Sequence, residues 1–275
     1  MDGSPLCKMK AWLEAGPDPG NGHQVHYAWP QADGFLPLMD RLSATLTLRF
    51  TGVRTCTACG KRVKKFYGQG LCYPCLMNAP EASPCILRPE LCEAHLGRGR
   101  DVQWERDHHG QEHVVYLSFT GGVKVGVTRS AQVPVRWIDQ GAVLAVPIAR
   151  VPYRQLAGAI EVDLKQHFAD RTDWRKMLLL SGPTSGEGAL HAAWTRVAEV
   201  LDPALRDYLL PSGPLVHMHY PLPSVPPKLV SVQLEKLPEI SGKLQGIKGQ
   251  YLVWADGRVL NVRNHIGYHV EIGWS

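Results

Sequence analysis

With 275 residues, 44% of them apolar, the chain is long enough to bury a sizeable core and to divide into one to three compact units. No apolar run approaches the ~18 residues of a spanning helix, and the opening MDGSPLCKMK lacks the apolar stretch of a secretory signal, so the expectation is a soluble, cytoplasmic protein with no membrane partner. A net charge of +5 permits a polyanionic partner, while the absence of a Walker-type loop, a Gly-x-Ser-x-Gly elbow and a dinucleotide fingerprint sets those enzyme classes aside.

Residues 1–53 are predicted to form an N-terminal β unit. Gln24–Trp29 and Ala44–Phe50 alternate as half-buried strands do, and a Pro/Gly stretch from Gly16 to Gly22 separates them from what precedes. Cys7 stands alone and is expected as a small packed hydrophobe. Residues 54–112 form a zinc-binding segment. Cys56-x2-Cys59 and Cys72-x2-Cys75, twelve residues apart, have the spacing of two tight knuckles whose four thiolates close a tetrahedron around a structural Zn²⁺. Farther on, Cys85, Cys92 and His95 offer three more ligands, and His109 or His113 a fourth, for a second zinc. The plain alternative is two buried cysteines and a surface histidine.

Between the knuckles, Lys61, Arg62, Lys64 and Lys65 crowd together beside Phe66 and Tyr67, with Arg54 just ahead of them. Cations interleaved with aromatics suit phosphates and bases, so these residues, joined by Arg129, are the candidate surface for DNA or RNA. A solvated charged loop is the competing explanation.

In residues 113–210, Val123, Val125 and Val127 alternate with Lys124, Gly126 and Thr128, and Gly121-Gly122 supplies the turn of a hairpin with Val114–Phe119. Tyr116, Ser118, Lys124, Gly126 and Thr128 should share one face, a polar set unlike ordinary core. A helix over Arg154–Phe168 buries Leu156, Ala157, Ile160 and Leu164, and Glu161 projects from that stripe. A carboxylate so placed needs a cation, either a metal ion or Arg136. Another helix is expected over Glu187–Leu201.

The order and character of Tyr116, Lys124-Val-Gly-Val-Thr128, Arg136 and Glu161 resemble the GIY-YIG nuclease superfamily. The resemblance implies that Glu161 holds Mg²⁺ or Mn²⁺, that Tyr116 acts as or orients the base, and that Arg136 clamps the phosphate of a diester being hydrolysed. Lys124 stands where the pattern has its second tyrosine, and Gln140 where a histidine is common. Cys56–Gly141 also resembles an uncharacterised bacterial family that carries a zinc ribbon ahead of such a core, through Gln69-Gly-Leu-Cys-Tyr-Pro-Cys75, Arg88-Pro-Glu-Leu-Cys92, Lys124–Arg129 and Arg136–Ala142.

Residues 211–228 hold six prolines and read as a linker, and 229–275 as a C-terminal β unit that pairs with 1–53. Lys243, Lys248, Arg258 and Arg263 are expected to extend the basic surface. The fold class is α+β: a zinc ribbon and a GIY-YIG-like α/β core, framed by β-rich ends. Two functions compete, a metal-dependent endonuclease and a nucleic-acid-binding or adaptor protein that keeps the scaffold without cutting; a purely structural or metal-handling zinc protein is the third possibility.

Overall fold

The structure, a computed structural model, describes residues 3–16, 22–31, 34–168, 171–180, 182 and 186–275. Most of the expected Gly16–Gly22 connection, residues 17–21, lies outside the described residues. The chain is α+β.

In chain order, the first strands are β1 (Ser4–Pro5), β2 (Lys10–Ala15), β3 (His23–Gln31), β4 (Gly34–Pro37) and β5 (Thr45–Arg54). Two helices, α1 (Tyr73–Asn78) and α2 (Val102–His109), lie in the cysteine-bearing segment, which is otherwise made of short 3-10 turns. The hairpin β6 (His113–Phe119) and β7 (Val123–Arg129) leads to α3 (Val135–Asp139), β8 (Leu144–Val151) and α4 (Arg154–Leu164). Then come α5 (Trp174–Leu179), α6 (Glu187–Val200), β9 (Val216–His219), β10 (Val230–Ser231), β11 (Glu239–Lys248), β12 (Tyr251–Trp254), β13 (Arg258–Asn261) and β14 (Tyr268–Trp274).

These elements form two compact units: residues 1–14, 24–77 and 220–275, and residues 15–23 and 78–219. The first is built on a sheet of order β1-β14-β5-β11-β12-β13-β10, so strands from both ends of the chain lie side by side. Within it β5 lies between β14 and β11, and its Leu48 stands opposite Ile240 of β11 and Ile272 of β14. Leu46, Leu48, Ile240, Leu244, Leu252 and Trp254 are fully buried. Each such side chain stabilises by about 1.5–3 kcal/mol, which explains why the alternation of Thr45–Phe50 is so regular.

Two expectations about this unit are corrected. Lys248 is not part of a basic surface: it is 2% exposed, with its ammonium 5.3 Å from the ring of Tyr220. Burial pushes its pKa down to about 7. Cys7 is exposed rather than packed.

The second unit centres on the antiparallel strands β9-β8-β6-β7. The proline-rich 211–228 stretch is thus not wholly linker, because Val216–His219 pairs with Leu144 and Ala145 of β8. Helix α6 packs on β6, β7 and β8, and α4 packs on the same three strands. Gly186, at the entry to α6, abuts the ring of Phe119, while the Tyr116 side of the hairpin interacts with Glu161 of α4. Helix α4 stops at Leu164, four residues short of the expected Phe168, and continues as a turn closed by Lys165 N–H donating to Glu161 O.

Candidate metal centres and the polar hairpin face

Cys56 and Cys59 flank a turn in which Gly60 N–H donates to Cys56 O at 2.8 Å. Cys72 and Cys75 sit at the start of α1, and the backbone N–H of Cys72 donates to Cys56 Sγ at 3.3 Å. Cys59 Sγ and Cys72 Sγ are 3.9 Å apart, and the four sulfurs all lie within 4.8 Å of one another. That spread suits a tetrahedron of sulfurs each about 2.3 Å from a zinc ion. Burial works against ionising Cys56, yet N–H donors from Cys72, Cys59 and Ala58 outweigh it and bring its pKa down to about 6. Cys75, hydrogen-bonded to Cys72, is pushed up to about 12. One thiol eased toward ionisation beside one held protonated suits a dication, and the four-sulfur donor set fits structural zinc.

The loop between the knuckles carries Lys61, Arg62, Lys64 and Lys65, all exposed. Lys65 Nζ lies 4.8 Å from the ring of exposed Tyr67, which meets Tyr73 at 5.3 Å. Arg54 departs from the expected stripe. Its guanidinium pairs with Glu235 at 3.3 Å and covers the rings of Phe50 and Tyr268, so it serves the packing of the first unit. Arg129 is half-buried at the end of β7, in the second unit.

A second cluster assembles in the other unit. Cys85 lies within, and Cys92 just after, tight 3-10 turns opened by Pro84 and Pro89, and α2 presents Glu105 and His109 one turn apart. Asp101 caps α2 by accepting from Trp104 N–H at 2.9 Å, which sets the phase of that helix face. Cys85, Cys92, Glu105 and His109 are all buried and within 4.8 Å of one another. His95 lies outside this group, exposed and stacked on Tyr153 at 4.5 Å. Glu105 takes the place expected of it. The signal that could have found it is the Glu-x3-His spacing of a capped helix.

On the hairpin, Tyr116 pairs with Gly126 and Ser118 with Lys124. A Cβ at Gly126 would stand 2.6 Å from Tyr116 Oη, so glycine is what lets the phenol lie across β7. The hydroxyl donates to Gln140 Oε1 at 3.0 Å, and Lys124 Nζ donates to Thr172 at 3.2 Å. Tyr116 is 0% exposed and Lys124 6%. Burial raises the Tyr116 pKa; Arg136 and Gln140 oppose the shift and Glu161 adds to it. Tyr116, Arg136 and Glu161 therefore act on one another, while Lys124 is tied to Thr172.

Glu161 is buried as its place in the apolar stripe requires, and one cation that meets it is Lys165, at 3.3 Å. Sequence reasoning named Arg136 or a metal ion as that cation; Lys165, one turn on, is a further one it did not name. Among the described residues Glu161 belongs to no group of three or more Cys, His, Asp or Glu able to hold an ion, so nothing supports a Mg²⁺ or Mn²⁺ site there. Among the described residues no helix is long and apolar enough to cross a membrane.

A family described as a protein of unknown function, DUF2797, matches residues 43–270. The chain belongs to this family. The match takes in both cysteine clusters, the hairpin and α4, so the DUF2797 region contains every candidate site described above. No curated protein and no solved structure matches this DUF2797 chain significantly.

Proposed function

We propose that this chain is a zinc-stapled, nucleic-acid-binding protein whose second unit keeps a GIY-YIG-like scaffold without using it to cut. The observation that carries this reading is the exposed set Lys61, Arg62, Lys64, Lys65 and Tyr67 on a loop whose two ends converge on one four-thiol cluster. Zinc there would fix the loop, so that its cations meet phosphates and its rings meet bases with little ordering cost.

Cutting is the second reading. Its support is the mutual influence of Tyr116, Arg136 and Glu161. Several features favour binding over cutting: Tyr116 and Lys124 are buried, the phenol is committed to Gln140, and burial raises its pKa, which keeps it protonated at neutral pH and a poor proton acceptor. The face reads best as polar core under α4.

The deciding experiment incubates wild type and Glu161→Gln with a mixed pool of DNA and RNA plus Mg²⁺ or Mn²⁺. The expected result is retained binding and intact nucleic acid for both proteins. Cleavage by wild type that Glu161→Gln abolishes would overturn the proposal in favour of the nuclease.

A further inference from the structure

We infer that Cys85, Cys92, His109 and Glu105 form a second zinc centre, with Glu105 as the ligand that faces a cleft and exchanges. This centre stands apart from the nucleic-acid proposal and does not depend on it.

Four observations converge. The donor set is two sulfurs, one imidazole nitrogen and one carboxylate oxygen, all buried and within 4.8 Å of one another. That combination matches the borderline-soft preference of Zn²⁺ and excludes hard cations such as Mg²⁺. His109 Nδ1 faces the set, 3.8 Å from Cys85 Sγ and in contact with Glu105 Oε2. The other carboxylate oxygen, Oε1, accepts from Ser83 Oγ at 3.3 Å, which orients Glu105 for binding through a single oxygen.

The electrostatics need a cation. Cys85, Cys92, Glu105 and His109 are all buried, so negative charge on the sulfurs and the carboxylate lies away from solvent. A buried thiolate beside a buried carboxylate is costly without positive charge. A fixed cation beside the set is Arg154, whose guanidinium donates to the backbone oxygens of Cys85 (3.0 and 3.1 Å) and Ile86 (3.0 Å). Zinc would neutralise the set, with Arg154 balancing the remaining negative charge.

The surroundings distinguish this centre from the four-thiol one. A cleft of about 390 Å³ lined by Cys85, Glu105, Arg98 and Arg100, among others, opens on the side where Glu105 and Cys85 lie. A carboxylate leaves zinc more readily than a thiolate, so water or an incoming donor would enter there. Gly99 in the cleft wall lies so close that a Cβ on it would stand 2.4 Å from Glu105 Cγ. Its backbone holds the carboxylate against the cluster.

Zinc content and native mass of the full chain, purified without added metal, provide the test, together with zinc X-ray absorption and release to a chromogenic chelator. Wild type should carry two zinc ions per chain, with an averaged shell of three sulfurs and one nitrogen or oxygen, as the two ligand sets require. His109→Ala and Cys92→Ser should carry one, and chelator release should lose its faster phase. Gly99→Ala, which removes no ligand, should weaken the second site about tenfold or more by displacing Glu105. One zinc per wild-type chain with a four-sulfur shell would overturn the second centre and leave the first intact. One zinc with two sulfurs and two lighter atoms would keep the second and remove the first. Two zinc ions in folded His109→Ala, or equal release rates for both ions, would also contradict the inference. Because the absorption shell is read on wild type, misfolding of a variant leaves the test decisive.

Discussion

The two cysteine clusters reach four potential ligands by different routes. In the first, each pair is three residues apart on its own knuckle, and three of the four cysteines retain some exposure. In the second, the ligands come from two turns and a helix, all are buried, and only two are cysteines. A ligand pair fixed by a local turn announces itself in sequence, whereas a pair assembled by packing depends on what holds the elements together. The first cluster should therefore fail when a ligand is lost, and the second also when a distant packing contact is lost.

The largest effect is expected from Cys56→Ser. Structural zinc contributes on the order of 10 kcal/mol to small zinc modules, so this variant should lose one zinc and become protease-sensitive around residues 55–77, while the second unit stays folded. Zinc analysis with limited proteolysis checks this, and an unchanged zinc count and cleavage pattern would break the contrast.

Gly158→Ala comes next, as the packing counterpart for the second cluster. Gly158 of α4 lies against the loop that carries Cys92, and an added Cβ would sit 2.2 Å from Glu90 N. Forcing those backbones apart should cost about 2–4 kcal/mol and loosen the second cluster without touching a ligand. A melting curve like that of wild type would mean that α4 does not brace it.

How far the sequence was legible follows the same division. The Cys-x2-Cys spacing, the alternation of Val123–Val127 and the apolar stripe of α4 are local patterns, and the hairpin they imply is present, with a register, Tyr116 over Gly126 and Ser118 beside Lys124, that only the structure gives. The identity of Glu105 was hidden because α2 is almost wholly polar, so no apolar stripe marks its inner face. His95 looked like a ligand by its spacing from Cys92, but its turn ends at left-handed Gly97 and the ring stacks on Tyr153. Lys248 read as a surface cation because strand alternation does not reveal that β11 lies between two neighbouring strands.

Lys248 gives a smaller effect that separates the first unit from the second. Its folded pKa, about 7, lies below the ordinary lysine value, so between these limits the unfolded chain binds more protons. Stability must then rise with pH, by roughly 1–3 kcal/mol from pH 7 to 9. Lys248→Met should be more stable at pH 7 and lose that part of the slope. Chemical denaturation at both pH values checks it, and an identical slope in the variant would contradict the burial.

The smallest effect on folding should come from replacing Lys61, Arg62, Lys64 and Lys65 together with alanine, because all four are exposed. Their effect on binding should be the reverse, and it tests the central claim most directly. A salt series of anisotropy titrations with labelled duplex is predicted to give affinity falling with ionic strength, with a log–log slope shallower by about 3 to 4 in the quadruple variant than in wild type. Wild type and variant binding alike at every salt concentration, or neither binding at low salt, would contradict the account.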